Sequence, residues 1–486
     1  MERNNSIYLW KTIYFILTPR FGIQLMSSHD FNDDFVLKLF NLERKNIENF
    51  YVKHGDSKVL ISIKLTSFNH KCPICNTSTS KIKGYTKKKI NHSVLHGHNC
   101  ILEYMARRYQ CTYCNKTFYE HNPFTIGGMK TSLVTVYNVL NDLKSPNETF
   151  TSASSRYNLS VSTVISIFDS HVSIAPRKLP EVICMDEVYA FKSKNSSYVC
   201  VLLDYLSKNV IDLLPSRKKH DLANYFGLID RNERLNVKIV SIDMWETYRI
   251  ITKQYFPKAV CAVDKFHVLQ EFSRKLDKVR IYAMNSVKNT HHKISEITDV
   301  ALKEKWYKND KAYYVFKKFN WLLFKPFEYE QLDINCKKKL NSKLSRYLNF
   351  YDLLQIMLTS NSDLEEAYNL KLALYDFYKL EAPTKDDLNT LIHLFKDSNV
   401  KCMSDFGNTL INWKQEILNS FIIVNVDGVK SKINNALIEN RNKVIKTIKR
   451  NSNGYNNWDR FRNRCLYSLN DDVSYFMYPL DKKKRD

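Results

Sequence analysis

Glycine and proline are scarce in this chain, 10 and 11 of 486 residues. Lys, Asn, Ile and Tyr are all abundant, a composition that an AT-rich coding sequence produces, so part of the basic excess follows from codon usage. No apolar run approaches the roughly 18 residues that a membrane-crossing helix needs, which excludes such a span. The opening segment MERNNSIYLWKTIYFILTPRFGIQL is only weakly leader-like, because Lys11 interrupts its apolar stretch and no small-residue cleavage site follows. Eleven cysteines, an odd number in a large chain without a convincing export signal, argue against a disulfide framework and for thiols kept reduced. No internal repeat is evident. Acidic residues are also in deficit, Asp+Glu 50 against Lys+Arg 74, and the net charge of +24 favours a polyanionic partner.

Met26 opens a more ordinary start, MSSHDFNDDFVLKLFNLE, and residues 1–25 are expected to be an upstream extension. Residues 30–50 read as a short amphipathic helix, and KVLISIKL (58–65) alternates as a strand. A helical stretch follows, with SLVTVYNVLNDL (132–143) as one helix and 149–172 as two more around a tight turn. Residues 181–289 alternate between short β-rich runs and amphipathic helices, three strands first and helix-linked strands after. That pattern predicts a mixed α/β core. From about 290 to 425 nearly everything reads helical, too long for a loop and therefore an insertion. The expected divisions are a zinc-binding module at 26–125, a helix-turn-helix at 130–175, an α/β domain at 178–470 and a basic tail at 471–486.

Cys72-Pro-Ile-Cys75 and Cys111-Thr-Tyr-Cys114 are two CxxC knuckles separated by a basic segment with strand-like runs. Four thiolates at this spacing suit a closed tetrahedral zinc site, which is structural because it leaves no open position for substrate. Cys100, His92, His96 and His98 are rival ligands without regular spacing. Arg107, Arg108 and Lys116 flank the second knuckle and are candidates for phosphate contact. In TFTSASSRYNLSVSTVISIFDS (149–170), Ala153 and Tyr157 are expected under a turn at Asn158–Ser160. Val161, Val164 and Ile165 would line the inner face of the second helix, leaving Ser162, Thr163 and Ser166 to face a DNA groove.

Three acids stand in distinct settings. Asp186 lies inside VICMDEVYAF (182–191), beside Glu187, and only one of the two is expected on the inward face. Asp243 ends VKIVSID (237–243), at the C-terminal end of a strand, where open α/β sheets place ligand groups. Asn435, Glu439 and Asn442 fall at i, i+4 and i+7 of a basic helix and share one face. Lys443, Lys446, Lys449 and Arg450 supply positive charge nearby for a phosphodiester backbone. Carboxylates from two strand ends and a late helix suit a pair of hard divalent cations and phosphoryl-transfer chemistry. Asp264 is a rival acid, read as ordering its loop, and Asp204 a weaker one.

The block SIDMWETYRIITKQYFPKAVCAVDKFHVLQ (241–270), the end NNALIENRNKVIKTIKRNSNGYNNWDRFRNRCLY (434–467) and the knuckle RRYQCTYCNKTF (107–118) together resemble the ISL3 family of insertion-sequence transposases. Asn440 stands where that family usually has glycine after its last glutamate. The resemblance implies an RNase H-like catalytic core interrupted by a helical insertion and preceded by the zinc and helix-turn-helix modules. It implies a DDE triad of Asp186, Asp243 and Glu439 holding Mg²⁺ or Mn²⁺, with structural Zn²⁺ on Cys72, Cys75, Cys111 and Cys114. Double-stranded DNA would be the partner, bound by a homodimer or higher oligomer, and the implied setting is the bacterial cytoplasm near the nucleoid. An inactive relic, or a DNA-binding regulator built from the two N-terminal modules, is the alternative reading.

Overall fold

A computed structural model describes residues 33–480 apart from 56–57, 68, 95–97, 127–128, 194–195, 290–296 and 327. The expected upstream extension, His96 and the last six residues lie outside the described residues. The chain divides into two compact units, one of residues 1–175 with 444–486 and the other of residues 176–443. Among the described residues no helix is long and apolar enough to cross a membrane.

In the first unit a short helix α1 (Asp33–Leu39) precedes strands β1 (Ile47–His54) and β2 (Lys58–Leu65). The helix expected over 30–50 thus stops early. The alternation after it buries Ile47 and Phe50 on a sheet with Ile61, Ile63, Leu102 and Tyr104. Two-residue strands β3 (His70–Lys71) and β4 (Ser78–Thr79) carry the first knuckle. The long hairpin β5 (Ile82–Asn91) and β6 (Asn99–Gln110) and the short β7 (Thr117–Tyr119) complete the module. Strand β6 is central, parallel to β2 and antiparallel to β5 and β7.

Helices α2 (Leu133–Asp142), α3 (Phe150–Arg156) and α4 (Val161–His171) follow. The α3–α4 turn uses Asn158 at φ 49°, and Ser160 caps α4 by accepting from the Thr163 amide. The inner face of α4 is Val164, Ile167 and Phe168, at i, i+3 and i+4. Val161, expected inward, is 38% exposed; it is the first residue of the helix, and the buried face starts at Val164.

The second unit is built on a five-stranded sheet. Strands β8 (Val182–Tyr189), β9 (Tyr198–Asp204) and β10 (Val210–Leu214) run antiparallel, followed by helices α5 (Lys219–Gly227) and α6 (Arg231–Leu235). Strand β11 (Ile239–Ile242), helix α7 (Glu246–Tyr255) and strand β12 (Val260–Val263) come next. The order is β10-β9-β8-β11-β12, with β11 parallel to both β8 and β12. Strands β8 and β11 lie inside the runs 182–191 and 237–243, and the order of three strands followed by helix-linked strands is the one expected. Nearly all of β8 is buried, as a central strand covered on both faces must be.

Helix α8 (Lys265–Ser286) leaves the end of β12, and helices α9 (Val300–Lys318), α10 (Phe350–Thr359), α11 (Ser362–Lys379), α12 (Lys385–Lys396), α13 (Lys401–Asn412) and α14 (Lys414–Asn419) form the helical portion. It also contains a small hairpin of Lys339–Asn341 with Arg346–Leu348, which the helical reading missed. A second hairpin, Ile423–Val426 with Val429–Lys432, turns through Asp427 and Gly428, both at positive φ, as a tight two-residue turn requires. Helix α15 (Ala436–Asn451) then begins in this unit and continues into the other.

The last helix, α16 (Trp458–Leu469), packs in the first unit. Tyr467 joins the α2–α4 core and donates to the Leu140 carbonyl at 3.1 Å. Arg464, 1% exposed, donates to the carbonyls of Ser145 and Glu148, each at 2.8 Å. The buried guanidinium is thus paired with backbone acceptors, so the helix is held by hydrogen bonds as well as apolar fit.

Candidate active site

The parallel register of the second unit sets the acids in a row. Ser241 of β11 lies level with Cys184 of β8, and two residues further along Asp243 comes level with Asp186. Ile242 lies level with Val263 of β12, and Asp243 and Asp264 each follow directly on those strand ends. Three aspartates therefore stand at or beyond matching positions of three adjacent parallel strands.

Helix α15 lies over this row by the face anticipated from its spacing. Asn435 Oδ1 accepts from Ser241 Oγ at 2.8 Å, and Asn442 Nδ2 donates to Asp186 Oδ2 at 2.8 Å. Glu439 lies between them in sequence. The carboxylate of Asp186 also accepts from the Glu187 amide at 2.8 Å, and that of Asp243 from the Trp245 amide at 3.2 Å.

Two groups of metal-ligand type result. Asp186, Glu187 and Asp243 each offer a carboxylate oxygen within 4.8 Å of the others. Asp264, His267 and Glu439 form a second group by the same measure. Glu439 is thus grouped with Asp264 rather than with Asp186 and Asp243, although it lies near enough to raise the Asp186 pKa. Asp204 is elsewhere. It closes the β9–β10 turn by accepting from the Leu206 amide and the Ser207 hydroxyl.

Burial with too few cations sets the electrostatics. Removal from water pushes the Asp186 carboxyl up to about 7, with Glu187, Glu439 and Asp264 adding repulsion. The same cause, reinforced by Glu187 and Asp186, pushes Asp243 up to about 8. Desolvation raises Asp264 to about 6, against the opposing amides of Phe266 and Asn435. Such a set fits divalent cations, which restore the charge balance that the protein leaves open.

Glu187, His267 and Arg217 were not singled out in the sequence. Glu187 joins the cluster although it neighbours Asp186 along the strand. Arg217 pairs with Glu187 and lies between the rings of Tyr198 and Trp245, at 4.2 and 4.4 Å from their centroids. The Asp264–His267 spacing of three on one helix start was a usable signal. Arg217 reaches Glu187 only through space and left none.

In the first unit the four expected cysteines meet. Their Sγ atoms all lie within 4.8 Å of one another, with nearest pairs at 3.5–3.6 Å. A zinc tetrathiolate has an edge of about 3.8 Å. Both knuckles are built alike: Cys72 N donates to Thr77 O and Cys111 N to Lys116 O, each at 2.9 Å, and Asn76 and Asn115 take positive φ after the second cysteine. The rivals are used otherwise. Cys100 is buried in the sheet, and His92 bonds Ser132 Oγ and the Phe40 carbonyl.

The other expected contacts divide. Arg107 is 5% exposed and spends its guanidinium on Glu120 and the carbonyls of Leu65 and Thr66, so it is committed to the fold. Arg108 is exposed beside the Tyr119 ring and donates to Thr117 Oγ1. Ser162 and Ser166 are exposed on α4, and Thr163 is half-buried. Lys443, Lys446 and Arg450 are exposed along α15, and Lys449 is half-buried.

Comparison with known proteins gives two family matches. Residues 183–465 match the ISL3 DDE family, described as transposase, and residues 69–114 match the zinc finger of transposases IS204/IS1001/IS1096/IS1165. A transposase for insertion sequence element IS1001 from Bordetella parapertussis is 22% identical over 284 residues, 58% of this chain. The match spans 59% of that relative's length. The four-cysteine cluster is accordingly a zinc-binding site, and with the first group match covering more than half of its length, the chain belongs to the ISL3 family of insertion-sequence transposases.

Proposed function

We propose that this protein binds the terminal inverted repeats of an insertion sequence and catalyses divalent-metal-dependent DNA cleavage and strand transfer. What supports the proposal is that Asp186 and Asp243 each offer a carboxylate oxygen within 4.8 Å of the other, and that Asn442, on the helix that carries Glu439, donates to Asp186. The strand order, three antiparallel then two parallel, supports an RNase H-like core with the helices before α15 as its insertion.

In this reading Asp186, Asp243 and Glu439 hold Mg²⁺ or Mn²⁺. When bound, the cations would neutralise the phosphodiester and favour in-line displacement at phosphorus, first by water and then by the freed 3′-hydroxyl. Asn442 fixes the Asp186 carboxylate, the Trp245 amide fixes that of Asp243, and Asn435 pins the start of α15 to β11.

Recognition of the element ends is assigned to the zinc module at 26–125 and to the α3–α4 pair, read as a helix-turn-helix. Arg108, Ser162, Thr163 and Ser166 are the proposed contacts. Lys443, Lys446, Lys449 and Arg450 would follow the DNA backbone. Arg107 is left out, since its donors are used inside the fold. Pairing two ends requires at least a dimer on double-stranded DNA, acting in the bacterial cytoplasm at the nucleoid.

The test is a plasmid carrying both element ends, incubated with Mg²⁺ and either the wild type or Glu439→Gln. End-specific nicking and joined products from the wild type alone are expected. Equal cleavage by both would remove Glu439 from the proposed triad, and specific binding without cleavage by the wild type would overturn the enzymatic reading.

A further inference from the structure

We propose that Asp264, His267 and Glu439 hold a divalent cation of their own, apart from one at Asp186 and Asp243, and that the imidazole biases this position toward a transition-metal ion over Mg²⁺. The inference deepens the cation-dependent reading above and rests on it.

Geometry comes first. One ligand atom from each of the three residues lies within 4.8 Å of the others, as in the Asp186–Glu187–Asp243 group, and the two groups share no residue. Asp264 is 3% exposed and follows directly on the end of β12, while His267 lies one turn along α8, so backbone structure fixes both. Neither Asp264 nor Glu439 makes an ion pair with a basic side chain among the described residues. Asp264, buried in that state, needs another source of positive charge.

Unsatisfied polar atoms provide an independent observation. His267 Nε2 is shielded from solvent and has no hydrogen-bond partner among the described residues. On the helix face that carries Glu439, Asn435 is fully buried with Nδ2 unpartnered, and Asn442 is 6% exposed with Oδ1 unpartnered. Buried polar atoms are almost always paired, and an unpartnered ring nitrogen beside two carboxylates marks a place where a cation can be bound.

Chemistry then separates the two positions. The Asp186 group offers oxygen alone, which suits Mg²⁺. A nitrogen beside two carboxylates favours ions such as Mn²⁺ or Fe²⁺.

Pulsed electron paramagnetic resonance of the full-length protein loaded with Mn²⁺, without DNA, tests the assignment. A ¹⁴N modulation from directly bound imidazole is expected in the wild type, lost in His267→Gln and Glu439→Gln, and kept in Asp243→Ala. Mn²⁺ affinity at that position should fall at least about tenfold in His267→Gln, the loss that follows even from removing a partner behind a ligand. Mg²⁺ should displace the nitrogen-coupled Mn²⁺ less readily than the rest. Absence of the ¹⁴N signal in the wild type, its persistence in His267→Gln, or its loss in Asp243→Ala would overturn the proposal. Because the readout involves neither cleavage nor DNA, failure of the transposition assay and failure of this assignment remain separate results.

Discussion

Asn442 Nδ2 donates to Asp186 Oδ2 at 2.8 Å and joins residues 256 apart in the chain. The bond ties a late helix to a central strand and orients a carboxylate that has been taken out of water. Replacing Asn442 by Ala removes that restraint, and cleavage should fall about 10- to 100-fold, the usual cost of losing a partner behind a metal ligand. Binding to element ends should change little. A gel-shift assay beside the plasmid assay separates the two, and equal loss in both would refute the positioning role.

Burial pushes the Asp186 and Asp243 carboxyls up to about 7 and about 8, well above the usual carboxylate range. A carboxyl raised on folding holds its proton longer in the native state than in the unfolded chain. Its contribution to stability is complete below about pH 4 and is lost as pH rises through 7 to 8. The metal-free protein should therefore melt at progressively lower temperature across that window. Added Mn²⁺ should restore the melting temperature, most of all at the alkaline end. A metal-independent profile would count against cation binding by this row.

Arg107 and Arg108 are neighbours with opposite duties. Arg107→Ala leaves Glu120 buried and unpaired, at a cost of about 3 kcal/mol measured by denaturant unfolding. Arg108→Ala should leave stability unchanged, weaken DNA binding, and reduce the salt dependence of binding by about one unit of slope. The reverse pattern would exchange their roles.

Removal of zinc should release both knuckles together, because each supplies two of the four thiolates. Cys111→Ser should abolish stoichiometric zinc in elemental analysis, and a strong chelator should lower the melting temperature of the wild type. Full zinc retention in Cys111→Ser would mean that another ligand set is used.

Arg217 clamps Glu187 while wedged between Tyr198 and Trp245, and Trp245 is two residues from Asp243. Arg217→Ala should free the segment after β11 and lower cleavage about tenfold or more. Arg217→Lys should recover the charge but not the planar stacking, and so only part of the rate. Full rescue by lysine would reduce Arg217 to a counter-charge.

Local patterns made much of the fold legible. The five strands of the second unit are short β-branched runs bounded by turns, and β8 and β11 appear within their expected spans. Both knuckles, the capped α4 and the shared face of Asn435, Glu439 and Asn442 also follow from spacing over a few residues, because helix and turn geometry are set locally. Misplacements occurred where packing decides. Val161 has the apolarity of an inward residue but is the first residue of its helix and stays exposed. Arg107 looks like a surface cation, yet Glu120 and two carbonyls enclose it. Helix α16 has no local mark of which unit it joins, and the buried contacts of Arg464 and Tyr467 settle that.

The sequence by itself determined the elements, the zinc ligands and the acids worth watching, since each depends on neighbours along the chain. Only the tertiary structure decided how the acids are grouped. Parallel pairing of β8, β11 and β12 aligns three aspartates from distant segments. The docking of α15 then brings Glu439 to Asp264 and His267, and Asn442 to Asp186. Strand register and helix docking are long-range choices governed by burial and hydrogen-bond satisfaction, which residue spacing in one dimension does not encode.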